Sequence, residues 1–395
     1  MFAVVGLVGC GGGGSSGGGT GGTTSGTGGT ATGTGGASPG SGGSTASGTG
    51  GSGQTDAGSG SGGTPAMGSG GTAGSGTDAA TDAGNDTGSG TLHGGTSGAY
   101  ICPAAGNYAG MVPTMSGTFT MSTGANTNNG EGPVWVGPLG ALIFSSKFAV
   151  GGDADDFRQI WKLAPPNAAQ VSVKSNVGNN GMTLDNDDKI VSANHQLSAI
   201  VRIDPATGEM IDTIAEKYMG NYFQSPNDVI VRGDGNIYFS DPAYFASQGK
   251  KPKTATTAFY RISPAKVVSV VEDEGTKDPN GVALSPDDNT LYTLVTADQQ
   301  VKKWALGADG SINGAGANFV KTASTPDGMC VDCAGNLYVS TLSGVQVFSP
   351  AGQMVATIGG GKAINCSFGG ADHKTLFITS DTHVRYGTMN IPGLP

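Results

Sequence analysis

The chain has 395 residues, with 20 basic and 30 acidic side chains that give a formal charge of −10. Of its 73 glycines, 39 lie in the first hundred residues, a stretch that contains no lysine or arginine. The remaining residues, about 295, suffice for one large domain. Its acidic balance without basic clusters argues against nucleic acid or an anionic lipid surface as a partner.

The first ten residues resemble the end of a bacterial lipoprotein signal. Phe2 to Val8 is apolar, and Leu7-Val8-Gly9-Cys10 is similar to a lipobox, whose cysteine becomes the acylated first residue. Acyl chains partition into a bilayer at about 0.8 kcal/mol per buried methylene. We expect lipidation at Cys10 and a place in a bacterial cell envelope, on its periplasmic or extracellular face. The alternative is a chance apolar stretch, since the segment is short and lacks a positively charged start.

Residues 11–98 are almost entirely Gly, Ser, Thr and Ala with a few Asp, and have almost no apolar side chains. Such a segment cannot bury enough apolar surface to offset the entropy of ordering it, so we predict a disordered linker. As a random coil its ends would lie about 50 Å apart, which suits tethering. The folded domain is then expected over residues 100–395.

Four cysteines follow Cys10, namely Cys102, Cys330, Cys333 and Cys366. In an oxidising envelope they can form two disulfides by any of three pairings. Cys330 and Cys333 have C-x-x-C spacing, but no histidine or second pair accompanies them to make a zinc site. No helix N-terminus is expected nearby to lower a thiol pKa. We interpret all four as structural.

Six units recur along the folded part at a spacing of about 40–50 residues. Each begins with a short polar head, followed by an apolar strand, an Asp/Gly/Asn turn and further short strands rich in β-branched and aromatic residues. The heads are Glu131-Gly132-Pro133, Asn180-Gly181, Pro226-Asn227-Asp228, Pro279-Asn280-Gly281, Pro326-Asp327-Gly328 and Ile364-Asn365. The second strands begin at Ala141, Lys189, Asn236, Thr290, Asn336 and Thr375. A four-stranded unit repeated in this way predicts an all-β fold, a six-bladed β-propeller.

The ring needs one more strand to close. The sixth unit shows only three strands, and an unclosed ring would leave an open sheet edge. The segment Gly117–Thr123 precedes the first unit and is otherwise unassigned. We therefore predict that it forms the outer strand of the last blade.

The heads also suggest chemistry, because the first strands of a propeller line its channel and begin at one end. Taken singly, a Pro-x-Gly head is a turn. Taken together, the heads bring a side-chain oxygen from each blade to the axis. These residues are Glu131, Asn180, Asn227, Asn280, Asp327 and Asn365. A ring of oxygens with two carboxylates predicts a hard divalent cation, most simply calcium, and the lack of Cys and His at the heads disfavours zinc and copper.

Four longer motifs carry a family resemblance. They are EGPVW from Glu131, SPNDVIVRGDGNIYFSDPAY from Ser225, PNGVALSPDDNTLY from Pro279 and PDGMCVDCAGNLYVS from Pro326. Together they resemble the gluconolactonase/regucalcin (SMP-30-like) family, over roughly residues 125–390, and are most similar to bacterial gluconolactonases. The resemblance implies a six-bladed propeller with one catalytic divalent ion, usually calcium, in its channel.

The resemblance also implies roles for individual residues. The metal ligands would be Glu131, Asn227, Asn280 and Asp327, and the substrate-binding residues Asn180, His195 and Tyr244. We expect Asp327 to act as general base toward a water and His195 to protonate the leaving alkoxide. The alternative for His195 is a rim residue hydrogen-bonded to a neighbouring blade.

The expected activity is metal-dependent hydrolysis of a sugar-type lactone, such as gluconolactone, to its hydroxy acid. One alternative is a phosphotriesterase-like hydrolase at the same site, since diisopropyl fluorophosphatase is a more distant relative. Another is a non-catalytic, surface-tethered binding propeller whose ion only holds the channel together. Phe245 stands where the family commonly has Gly, and a lysine-rich loop follows it through Lys253. Such loop changes leave the reaction type better indicated than the substrate.

Overall fold

The computed structural model describes residues 102, 107–123, 130–147, 158–167, 169–175, 177–247 and 249–394. The linker over residues 11–98 and the lipidation site Cys10 lie outside these residues and stay predictions. Within the described part of the chain, no helix has the length and apolar character needed to cross a membrane.

The described residues form six four-stranded antiparallel sheets and one two-stranded hairpin. The first three sheets come from the N-terminal half of the propeller. In each of them the strands follow chain order from the channel outward. Blade 1 contains β2 (Gly130–Val136), β3 (Ala141–Lys147), β4 (Arg158–Leu163) and β5 (Gln170–Ser175). Blade 2 contains β6 (Asn179–Leu184), β7 (Ile190–Asn194), β8 (Ala199–Ile203) and β9 (Met210–Ala215). The hairpin β10 (Lys217–Tyr218) and β11 (Asn221–Tyr222) precedes blade 3, which contains β12 (Val229–Val231), β13 (Ile237–Asp241), β14 (Thr257–Ile262) and β15 (Val268–Gly275).

The other three sheets complete a ring. Blade 4 contains β16 (Pro279–Leu284), β17 (Thr290–Val295), β18 (Gln300–Ala305) and β19 (Ala317–Lys321). Blade 5 contains β20 (Pro326–Val331), β21 (Leu337–Thr341), β22 (Gly344–Phe348) and β23 (Met354–Ile358). Blade 6 contains β24 (Cys366–Gly369), β25 (Thr375–Thr379), β26 (Val384–Met389) and, outermost, β1 (Met115–Met121). Each inner strand contacts the inner strand of the next blade, and β24 contacts β2, so the fold is a six-bladed β-propeller.

The closing strand is confirmed, with bounds two residues earlier than predicted. β1 pairs antiparallel with β26, Met115 lying opposite Met389. The pairing ends before Thr123 because the chain there crosses to blade 1, where Thr123 forms a parallel bridge with Ala169. The earliest and the latest parts of the propeller therefore share one sheet, which removes the open edge.

The apolar core lies between neighbouring blades rather than at the axis. Ile143 of blade 1 packs in one cluster with Val201 of blade 2, and Trp161 of blade 1 packs in another with Phe377 of blade 6. Because both faces of a blade are covered in this way, its middle strands are apolar on both sides, while the outer strand β1 is mostly exposed. Burial of these side chains is the main stabilising contribution to the ring.

Two disulfides are present, and the two cysteines of the C-x-x-C pair have different partners. Cys330 of β20 is bonded to Cys366 of β24, which joins the inner strands of blades 5 and 6. Cys333 is bonded to Cys102, which lies 231 residues away and fastens the segment before the propeller to blade 5. Of the three pairings left open by the sequence, this is the one that the fold selects.

Candidate functional site

The polar heads leave the strand ladder where they reach the axis. The pairing of β2 with β3 shifts register between Glu131 and Val134, and that of β20 with β21 shifts between Pro326 and Met329. Blades 2 and 4 show the same shift at their inner strands. A bulge of this kind bends the strand and redirects its side chains. It is the local feature that turns the head side chains toward the channel.

In four of the six heads a glycine directly follows the polar residue, because the next blade approaches closely there. Gly132 has φ of 51°, and a Cβ on it would lie 2.3 Å from the carbonyl oxygen of Asn180. A Cβ on Gly281 would lie 2.7 Å from the carbonyl oxygen of Asp327. In the heads that have it, this glycine therefore makes room for the head of the next blade, a reason beyond the turn that a single motif indicates.

The four residues expected as metal ligands line one cavity of about 320 Å³ at this end of the channel. The other lining residues are Tyr244, Phe245, Thr296, Thr325, Pro326 and Leu342. Glu131, Asn227 and Asn280 are each about 95% buried, at 5%, 5% and 4% exposure. A buried carboxylate needs a compensating charge or several donors. The cavity thus brings two carboxylates and two carboxamides together from four different blades.

The hydrogen bonds of Asn280 orient its carboxamide. Its Nδ2 donates to Thr296 Oγ1 at 3.0 Å and lies 3.4 Å from the hydroxyl of Tyr244. Because the nitrogen is engaged on that side, the carbonyl oxygen Oδ1 is the atom left to face the cavity. An amide oxygen presented in this way suits a hard cation.

Asn180 is fully buried beside this group but does not line the cavity. Its Nδ2 donates to the backbone oxygen of Asn227 at 3.0 Å. Its Oδ1 has no hydrogen-bond donor among the described residues. A buried amide oxygen in this state is an acceptor for a water or for a group entering the channel.

The donor set fits a hard divalent cation. No cluster of three or more His, Cys, Asp and Glu side chains with metal-binding geometry occurs in the described part of the chain. Any ion at the cavity therefore depends on carboxamide oxygens beside Glu131 and Asp327. Calcium accepts such mixed oxygen ligands, whereas zinc sites are built from Cys and His.

Tyr244 presents its hydroxyl to the cavity. The residue as a whole is 41% exposed, while its hydroxyl end is held near Asn280 and Thr296. Burial raises the pKa of this hydroxyl, and the negative charges of Asp278 and Asp327 raise it further. The hydroxyl therefore stays protonated at neutral pH and can donate a hydrogen bond.

His195 lies outside the described cavity lining. Its side chain is fully buried, and its ring stacks on Phe245 with 4.6 Å between ring centroids and an interplanar angle of 29°. Phe245 itself lines the cavity. The backbone N–H of His195 donates to Gly178 O at 2.9 Å. His195 therefore lies buried beneath an aromatic side chain. Its expected roles in substrate binding and proton donation stay predictions.

Asp228 is a third carboxylate at the axis, which the sequence analysis did not single out. It accepts hydrogen bonds from Val229 N at 3.0 Å and from Val282 N at 3.1 Å, and so joins blade 3 to blade 4. Burial raises its pKa to about 7, and the charge of Asp327 acts in the same direction. The sequence signal for this residue was that the third head has Asp at the position where four other heads have Gly.

The sixth head does not belong to the ligand group. Asn365 lines a smaller cavity of about 50 Å³ that it shares with Asp228. Its Oδ1 accepts a hydrogen bond from Cys366 N at 2.8 Å, which occupies it locally. Four of the six head residues therefore share the larger cavity, whereas Asn365 lines the smaller one and Asn180 lines neither.

Comparisons with known proteins show the family to which this chain belongs. The family described as "SMP-30/Gluconolactonase/LRE-like region" matches residues 129–382. The gluconolactonase of Zymomonas mobilis is 32% identical over 279 residues, which cover 64% of this chain and 76% of that protein. The solved gluconolactonase of Xanthomonas campestris is 27% identical, with a TM-score of 0.58 over 72% of this chain and 98% of that one. A calcium-binding regucalcin of Agrobacterium tumefaciens, 18% identical with a TM-score of 0.55 over 70% of this chain and 95% of that one, shares the fold. This chain belongs to the SMP-30/gluconolactonase/LRE-like family.

Proposed function

We propose that this protein hydrolyses a lactone to its hydroxy acid in the cavity lined by Glu131 and Asp327, with one divalent cation, best matched by calcium. The observation that supports this most is the convergence of two carboxylates and two carboxamides from four blades into one cavity. A sugar-type lactone such as gluconolactone is the first substrate to test, because the 32% identical relative is named a gluconolactonase.

The ion would be held by Glu131, Asn227, Asn280 and Asp327. When bound, it supplies Lewis-acid polarisation of the lactone carbonyl. It also neutralises two carboxylates that would otherwise repel each other in a poorly solvated channel.

The side chains of the protein supply the proton transfers. The Asp327 carboxylate accepts the proton of the attacking water as general base. Water adds to the carbonyl carbon, the ring C–O bond breaks, and the leaving alkoxide takes up the proton that Asp327 accepted, which restores the Asp327 carboxylate. The Tyr244 hydroxyl, held protonated, donates a hydrogen bond to a substrate oxygen in the cavity. A proton-donor role for His195 requires the Phe245 ring to shift, because that ring lies against the imidazole.

The test is turnover of glucono-1,5-lactone by protein freed of metal with EDTA and then given calcium. Activity should return with calcium, and Asp327→Asn should lower kcat by at least about 10²-fold. Asp298→Asn is the matched control, since Asp298 is an exposed aspartate paired with Lys277 outside the cavity. Turnover that is indifferent to chelation, or that survives in Asp327→Asn, contradicts the proposal.

Two other outcomes would select the alternatives. Hydrolysis of diisopropyl fluorophosphate without hydrolysis of any lactone would indicate the phosphotriesterase-like enzyme. Calcium that raises the melting temperature without any turnover would indicate a binding propeller.

Lipid anchoring through Cys10 completes the proposal, with the domain displayed on the cell envelope. It is supported by the Leu7-Val8-Gly9-Cys10 sequence and by the glycine-rich stretch that follows. In a bacterial host, Cys10→Ala should move the protein from the membrane fraction to the soluble fraction. An unchanged distribution contradicts the anchor.

A further inference from the structure

We propose that the cavity selects lactones that carry an apolar substituent on the ring, in preference to polyhydroxylated sugar lactones. The inference rests on the proposed function and narrows its substrate class. It comes from the apolar residues that line the cavity together with the four ligand candidates, called the wall below.

Large apolar side chains stand at the mouth of the cavity. Leu342, directly after β21 in blade 5, is 51% exposed, and Tyr244, shortly after β13 in blade 3, is 41% exposed. Both line the same cavity, together with Phe245 and Pro326. Apolar groups left in water around a concave site indicate a ligand that covers them.

The wall is fixed in place before any ligand binds. The Phe245 ring stacks on the fully buried His195, and the Phe245 N–H donates to Ser225 Oγ at 3.2 Å. Ser225 is itself fully buried, and its hydroxyl donates to Pro242 O at 2.7 Å. A preformed apolar wall gains affinity for an apolar group without an ordering cost.

Few polar side chains other than the four ligand candidates line the cavity. Among the described lining residues, the polar side chains outside the four ligand candidates are Thr296, Thr325 and Tyr244. Thr296 Oγ1 already accepts from Asn280, and the Tyr244 hydroxyl lies in the same group. The several hydroxyls of a sugar lactone would lose water against Leu342 and Phe245 without gaining enough partners.

The size of the cavity leaves room for a substituted ring. About 320 Å³ lies at the lower end of the range for small-molecule pockets, and the site is open on one side. A six-membered lactone ring over Glu131 and Asp327 would direct a side chain toward the Leu342 and Phe245 wall.

The test compares six-membered lactones; the three alkyl lactones are matched in intrinsic reactivity, and each rate, that of gluconolactone above all, is corrected for uncatalysed hydrolysis. The substrates are glucono-1,5-lactone, δ-hexalactone, δ-octalactone and δ-decalactone, with calcium present. Each methylene that reaches the wall should raise kcat/KM about two- to fourfold. We expect δ-decalactone to exceed gluconolactone at least about tenfold in kcat/KM.

Variants of the wall should weaken the preference. Leu342→Ser should lower the ratio of kcat/KM for δ-decalactone to kcat/KM for gluconolactone about fivefold. Phe245→Gly should lower the ratio of kcat/KM for δ-decalactone to kcat/KM for gluconolactone further than Leu342→Ser does. Met354→Ser is the matched control, because Met354 is 59% exposed on β23 of the same blade and lies outside the cavity lining. Leu342 is half exposed, so its substitution leaves the core intact.

The outcomes separate this inference from the proposed function. Calcium-dependent turnover with gluconolactone as the better substrate, or with no dependence on alkyl length, overturns the inference and leaves the lactonase in place. A Leu342→Ser protein with an unchanged substrate ratio also overturns it. Absence of turnover on every lactone overturns both.

Discussion

The close approach of neighbouring heads predicts that Gly132→Ala damages both stability and the site. Gly132 has φ of 51°, and a Cβ there would lie 2.3, 2.6 and 2.9 Å from three backbone atoms of blade 2. Gly140 of the same blade has φ of 56° but no atom within 4 Å of its added Cβ. Both glycines have a similar positive φ and differ in the space around an added Cβ. Gly140→Ala is therefore the matched control.

The magnitudes follow from that comparison. A left-handed conformation costs an alanine about 1–2 kcal/mol, which is the whole effect expected at Gly140. At Gly132 overpacking against backbone adds about 1–3 kcal/mol, because a carbonyl oxygen cannot turn away as a side chain can. The sum is about 2–5 kcal/mol of unfolding free energy. The strand must also move by about 1 Å, and a misplacement of that size near reacting atoms can lower the rate about 10²-fold.

Thermal melts followed by circular dichroism measure the first effect, and kcat/KM on a lactone measures the second. Gly132→Ala should lower Tm at least about twice as far as Gly140→Ala, and it alone should weaken calcium binding by titration calorimetry. Equal Tm shifts for the two variants, with lactone turnover retained in both, would refute the reasoning that glycine is required for the approach of the next head.

Three further predictions concern other parts of the molecule. Burial, with Glu272 beside it, raises the pKa of Glu274 to about 7, so the charged form is disfavoured in the fold. The resulting loss of stability is absent below pH 4, where the carboxyl is protonated in both states, and complete above pH 7. Glu274→Gln should therefore raise Tm at pH 8.5 and not at pH 4, and an equal shift at both pH values contradicts this. Cys102→Ser opens a disulfide that spans 231 residues and should lower the unfolding free energy by about 2–5 kcal/mol in denaturant titrations, whereas an unchanged midpoint contradicts a stabilising role. Tyr244→Phe keeps the ring and removes the donor; initial rates relative to the wild type should fall about tenfold at every pH from 6 to 9, and a defect that disappears toward pH 9 would show that the hydroxyl ionises in that range.

Much of the architecture was readable from local patterns. Strand, turn and head recur in the sequence at nearly constant spacing, and each of the first five units forms its blade from its own residues. The closing strand could be inferred because a ring with one strand missing has an unsatisfied edge. The repeat grouped the six head residues because equivalent positions of a repeat occupy equivalent positions around the axis, and the family resemblance selected Glu131, Asn227, Asn280 and Asp327 among them.

The repeat could not predict which head residues line the larger cavity and which lie outside it. Asn180 and Asn365 have the same residue type and spacing as Asn227 and Asn280, yet they do not line the larger cavity. Their hydrogen bonds decide this: Asn180 donates to the neighbouring blade, and Asn365 accepts from the residue that follows it. A repeat fixes the position of a Cα along the axis but not the direction in which the amide turns.

The sequence by itself determined the six-fold repeat, its all-β blades and the polar heads at one end, because these depend on contacts between residues close along the chain. Only the tertiary structure decided which cysteines pair, which heads share a cavity, and that His195 lies beneath Phe245. Those features join residues up to 231 positions apart, and they depend on how the blades pack around the ring. Local patterning specifies each blade, whereas the distances between blades, set by packing, specify the site.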